Sequence, residues 1–171
     1  MKLAQGGDFI DPAAVALARC GDLDRAESIA SDLGKRCPLD TIINDVTLPV
    51  IRATAQIKRG QPARAVELLR TAAPYELRDF AVPYTRGLAY LAAGMGSEAA
   101  AEFQKILNNQ GVDPISPYYS LARVGLARAY AVQRDKANSR RAYEEFFVRW
   151  KDADRDIPIL RAAQAEYAGL K

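Results

Sequence analysis

A glycine, a few polar or turn-forming residues and then an alanine-centred helical stretch recur along the chain. Residues 21–27 read GDLDRAE, residues 60–67 GQPARAVE and residues 94–102 GMGSEAAAE. Aligned on Gly21, Gly60, Gly94 and, in a fourth unit, Arg134, the units lie 39, 34 and 40 residues apart. Five positions on come Ala26, Ala65, Ala99 and Ser139, all small, and four further come Ala30, Leu69, Phe103 and Tyr143, mostly bulky. Seven positions before each turn stand Ala14, Ala53, Gly87 and Ala127, small again. A period of this size marks a two-helix unit that cannot bury its apolar face alone and must stack on its neighbours.

The spacing has a physical reason. Small side chains where two antiparallel helices cross let the axes approach, and a large residue one turn later fills the gap to the next hairpin. Glycine ends the first helix because it takes φ > 0 without penalty. Asp22, Asp24 and Pro62 suit the turn and the first turn of the second helix. The fourth unit departs, with Arg134 and Ser139 at the glycine and alanine positions, and Asp135 is expected to help turn the chain. This predicts helices over about 12–20, 22–35, 41–59, 62–72, 80–93, 96–108, 117–133, 135–149 and 156–169. The first enters through Asp11 as N-cap and Pro12 as first helical residue. The third keeps helical spacing across Pro49, so a kink is expected there. Residues 1–11 read as a flexible lead-in, and residues 151–171 as a turn and a closing helix that covers the end of the stack.

Composition narrows the function. The 171 residues are 49% hydrophobic and rich in helix formers. The net charge of +3 is too small and too dispersed to signal direct nucleic-acid binding. No segment approaches the ~20 apolar residues that span a bilayer, and the N-terminus lacks a signal-peptide core, so a cytoplasmic location without membrane contact is expected. Cys20 and Cys37, two thiols in a chain this long, make no disulfide framework; a bridge between them would need two neighbouring helix ends to bring the Cα atoms within about 7 Å.

Nothing in the chain reads as catalytic. There is no histidine, the commonest general base and metal ligand near neutral pH. No CxxC, GxGxxG after a strand or GxxxxGK[ST] occurs. Asp152, Asp154 and Asp156 resemble the start of a calcium loop but lack its glycine and distal glutamate, and read as a polar turn. The expectation is no enzyme, no cofactor and no metal. Tyr143, Phe146, Phe147 and Trp150 recur at helical spacing and suggest packing against the closing helix, a ligand cage being the lesser alternative.

RGLAYLAAGMGSEAAAEFQKIL, with its Gly87–Tyr90–Gly94–Ala99–Phe103 series, resembles a tetratricopeptide repeat (TPR), whose period is 34 residues. The likeness extends more loosely over 12–150, in units of about 12–38, 41–74, 80–108 and 117–149. LARCGDLDRAE, LPVIRA, AAPYEL, EFQKIL and WKDADRDIPIL are similar to the C-terminal TPR region of acidobacterial-type serine/threonine protein kinases. No HRD, DFG or glycine-rich phosphate loop is present, so kinase activity does not carry over. The resemblance implies an all-α, TPR-like solenoid of about four hairpins plus a capping helix. It implies a non-catalytic scaffold that binds a protein or peptide segment in its concave groove, as the regulatory or docking part of a larger bacterial signalling protein. The alternative is the sensor or oligomerisation part of a winged-helix transcription regulator.

The family's groove-facing offsets fall on Asp11, Val15 and Arg19 in the first unit, and on Val50, Thr54 and Lys58 in the second. They fall on Tyr84, Leu88 and Leu91 in the third, and on Val124, Arg128 and Ala131 in the fourth. TPR domains that grip a chaperone's acidic tail carry lysine and asparagine where this chain has Asp11 and Val15, which argues against that clamp. The groove reads as apolar with a basic edge, suited to an amphipathic helix or an extended peptide with a few acidic groups. The bare face of the first unit would be covered by an upstream domain or, in a weak homodimer, by a second copy.

Overall fold

The computed structural model describes residues 10–170, and residues 1–9 of the expected lead-in lie outside them. The described chain is all-α. Its helices are α1 (Ile10–Cys20), α2 (Leu23–Arg36), α3 (Leu48–Lys58), α4 (Pro62–Leu68), α5 (Ala81–Ala92), α6 (Gly96–Asn108), α7 (Tyr118–Val132), α8 (Lys136–Arg149) and α9 (Pro158–Ala168). The first helix begins upstream of Asp11, so that residue lies inside α1 and not at an N-cap.

The four aligned turn residues share one backbone conformation. Gly21, Gly60, Gly94 and Arg134 have φ of +92°, +72°, +72° and +63°. At each, the residue's own amide donates three residues back: Gly21 to Ala18, Gly60 to Ile57, Gly94 to Leu91, Arg134 to Ala131. The next amide donates five residues back: Asp22 to Leu17, Gln61 to Gln56, Met95 to Tyr90, Asp135 to Tyr130. This is the Schellman arrangement, which satisfies the last carbonyls of a helix through one left-handed residue. Arg134 adopts it with a side chain that disfavours it. Asp22 and Asp135 then cap α2 and α8 by accepting from the amides of Arg25 and Asn138.

Two local departures come from proline. The helix over 41–58 carries a π-helical turn, Ile43–Thr47, directly upstream of Pro49. Pro49 has no N–H for the Asp45 carbonyl, and the Thr71 hydroxyl donates to that carbonyl instead, at 3.2 Å. The wide turn is how the chain seats the ring where a kink was expected. Helix α4 stops at Leu68, four residues short of expectation, and its continuation runs through i→i−3 bonds such as Arg70 to Glu67 and Ala73 to Arg70. Pro74 disfavours α geometry at Ala73 and cannot donate to Arg70, so the chain tightens.

Packing follows chain order. One buried cluster joins α1 and α2 to α3, the next α3 and α4 to α5, the next α5 and α6 to α7, and the last α7 and α8 to α9. The small residues of the repeat, Ala26, Ala65, Ala99 and Ser139, are fully buried. Ser139 fits because its hydroxyl donates 2.8 Å to the carbonyl of Ala127, the small residue across the hairpin. Phe103 shows the closeness most clearly: a Cβ on Gly87 of α5 would stand 2.8 Å from its ring, and one on Gly125 of α7 2.6 Å. Arg86, also buried, is fixed by Glu76 and by Glu102 at 2.9 Å, with Lys105 joining Glu76 at 2.7 Å. Burial alone would raise the Glu76 carboxyl, but Lys105 and Arg86 hold it below its ordinary value.

Candidate functional site

Helices α1, α3, α5 and α7 pack successively side by side. Their shared edge holds an open cleft of about 490 Å³, lined by Val15, Ala16, Arg19, Cys20, Thr47, Val50, Asp79, Ala81 and Tyr118. Arg19 dominates its chemistry. Its Cζ lies 5.2 Å from the centre of the Tyr84 ring and 5.9 Å from that of Tyr118. Those rings are themselves packed, with centroids 5.2 Å apart. Nε and Nη2 of Arg19 are out of solvent and have no hydrogen-bond partner among the described residues. Among the described residues the cation is held by two aromatic faces and no carboxylate pairs with it; its shielded nitrogens would meet a ligand only on a shift of the side chain. Burial raises both phenols above their ordinary values, against the pull of Arg19 on each.

The acidic residue of the cleft lining is Asp79. One of its oxygens accepts from the Ala81 amide at 2.8 Å and so starts α5. The walls between are aliphatic. A ligand with a carboxylate beside an apolar group fits this arrangement, the anion meeting Arg19 and the apolar part meeting Val15, Val50 and Ala81.

Of the residues expected to face a ligand, the cleft brings together Val15, Arg19 and Val50, with Tyr84 beneath Arg19. Thr54 is buried and its hydroxyl donates to the Val50 carbonyl at 2.8 Å, so it holds its own helix. Leu88 and Leu91 are half-buried against the α5–α7 cluster, and Lys58 and Ala131 are exposed away from the cleft. Val124 is fully buried, covered by Leu160 and Ala163 of α9, so no ligand reaches it. Arg128 is taken: its Nε and Nη2 each donate at 2.9 Å to the two oxygens of Glu166 on α9. Tyr143 also donates to Glu166. Burial alone would raise the Glu166 carboxyl, but Arg128 and Tyr143 lower it on balance.

Asp79 and Tyr118 were not among the expected residues. Their signals were present: an aspartate before a helical start, and a tyrosine pair opening α7. What was missing was the register that sets Tyr118 against Arg19, nearly a hundred positions earlier. Cys20 and Cys37 are both free, at the ends of α1 and α2. Among the described residues no group of three or more histidine, cysteine, aspartate or glutamate side chains could hold a metal, and no helix is long and apolar enough to cross a membrane. Comparison with protein-family models, with curated proteins and with solved structures returned no match.

Proposed function

We propose that the chain is a TPR-like α-solenoid that acts as a non-catalytic protein-interaction module, the docking part of a larger bacterial signalling protein. It takes a peptide segment along the edge formed by α1, α3, α5 and α7. Two features support the solenoid reading: the same Schellman turn in every unit, and clusters that each join a helix pair to the next helix. The observation that carries the binding reading is Arg19, a guanidinium set on two tyrosine rings at an apolar cleft, with two nitrogens that find no partner among the described residues. The matching segment carries an acidic side chain next to an aliphatic one.

Selection from a displayed peptide library tests this. Enriched peptides are expected to share an Asp or Glu flanked by aliphatic residues, and Arg19→Met is expected to weaken them about tenfold or more, the worth of a charged hydrogen bond. Failure to enrich any peptide, or enrichment indifferent to Arg19→Met, would falsify the reading.

A further inference from the structure

A second cationic cleft lies at the start of α7 and shares no residue with the first. It measures about 370 Å³ and is lined by Gln110, Pro114, Ile115, Ser116, Tyr119, Ser120, Arg123 and Arg149. Arg123 is 7% exposed, as deeply placed as the core around it. Its side chain runs back along the helix, and Nη1 donates to the Tyr119 carbonyl at 3.0 Å. No carboxylate among the described residues comes within ion-pair distance of it. Glu145, which acts on it electrostatically, is engaged by Arg141 at 3.2 Å. The second cation of the cleft, Arg149, is exposed and likewise has no carboxylate within that distance among the described residues.

The arginines of the odd-numbered helices differ in this. Arg86 holds two carboxylates and the half-buried Arg128 holds one in a fork, whereas Arg123, like Arg19, pairs with none among the described residues. Arg123 has little solvent around most of its side chain but lines the open cleft, so an anion entering there would meet a guanidinium that no described carboxylate neutralises. Burial, then repulsion from Arg149, push the Arg123 guanidinium below its ordinary value, which an anion would reverse.

The backbone adds to the same charge. Ser116 precedes and Ser120 lies within the first turn of α7, a helix of 15 residues whose dipole is positive at this end; the Tyr119 amide there already donates to the Ser116 carbonyl. Two guanidinium groups, two hydroxyls and a helix N-terminus line this one cleft, a donor set of mixed geometry that suits a tetrahedral oxyanion better than a planar carboxylate. The cleft is much larger than such an ion, and its rim carries Pro114 and an Ile115 that is 93% exposed.

We infer that this cleft binds a phosphate monoester, its phosphate seated between Arg123, Arg149 and the first turn of α7, its organic part against Pro114 and Ile115. The site is independent of the peptide-binding reading and stands if that reading falls.

Calorimetric titration of the full chain with phenyl phosphate tests it, with inorganic phosphate, sulfate and benzoate as competitors. Saturable binding of phenyl phosphate is expected, weakened about tenfold by Arg149→Gln, an exposed site whose change leaves the fold intact. Arg123→Lys, which keeps the charge but not the fork, is expected to weaken it as well, and Arg19→Met to leave it unchanged. Amide resonances of Ser116 and of residues 118–120 should shift on titration. Lack of binding at millimolar probe would overturn the proposal. So would binding indifferent to Arg149→Gln, or benzoate competing as well as phosphate. Equal affinity for inorganic phosphate would overturn the role of the organic part.

Discussion

Arg19 and Arg128 stand near opposite ends of one row of helices, and both act electrostatically on the same Tyr84 ring. The molecule treats them in opposite ways. Arg128 is forked onto Glu166, and Tyr143 closes the same carboxylate from the other side. Arg19 has rings where Arg128 has a carboxylate, and two of its nitrogens are idle. The difference is the presence of α9. Where a further helix lies over the row, the groove position becomes a structural ion pair and its neighbour Val124 becomes core. Where no described helix lies over it, the arginine has no carboxylate partner among the described residues. Under the proposed reading, a partner at the other end would repeat what α9 does here: aliphatic residues on aliphatic residues, with one carboxylate for the arginine.

The largest expected effect is at the capped end. Leu160→Ala removes a side chain that is 4% exposed and should cost about 2–5 kcal/mol in denaturant unfolding. Val15→Ala, in the half-buried wall of the open cleft, should cost clearly less. Equal losses would mean that the two ends are not energetically distinct, and the contrast would break.

Glu166→Gln comes next. It leaves Arg128 partly buried without its counter-charge and should cost about 1–3 kcal/mol. The effect depends on pH. The folded Glu166 carboxyl lies below the ordinary value of 4.5, so its contribution is complete above that pH and is lost as pH falls through the lowered folded value. Melting curves taken down that range should show the wild type losing its advantage over Glu166→Gln. A constant difference at all pH values would refute the pairing.

The turns give a smaller, signed test. Gly21→Ala forces a side chain into a left-handed position and should destabilise by about 1 kcal/mol. Arg134→Gly removes that same strain from the fourth turn and should stabilise by about 1 kcal/mol. Same-sign shifts would contradict the shared turn geometry. Smallest of all, Arg19→Met should change stability by less than about 1 kcal/mol, since no ion pair is broken. A loss as large as that of Glu166→Gln would show Arg19 to be structural.

Much of the fold was legible because its signals are local. The four turn residues, the small residues five positions on and most helix ends need only backbone sterics and the bulk of one side chain. Even Arg134, the wrong residue type, was placed correctly by its spacing. The misses were also local in origin but not in remedy. Pro49 announces a disturbed helix, yet a π-turn rescued by the hydroxyl of Thr71 depends on a neighbouring segment. Pro74 shortens α4 by more than helix propensity suggests. In the candidate site, Arg19, Val50 and Tyr84 were readable from their offsets, while Val124 and Arg128 were readable only as positions, not as positions already covered.

Periodicity and residue size alone thus determined that the chain is helical, where each helix turns back and which residues lie at the crossings, because those properties act over a few residues. Which arginines are paired and which are left with idle donors was decided only by tertiary structure. Arg19 and Arg128 are chemically identical, and their difference is whether a carboxylate from a distant helix comes within 3 Å.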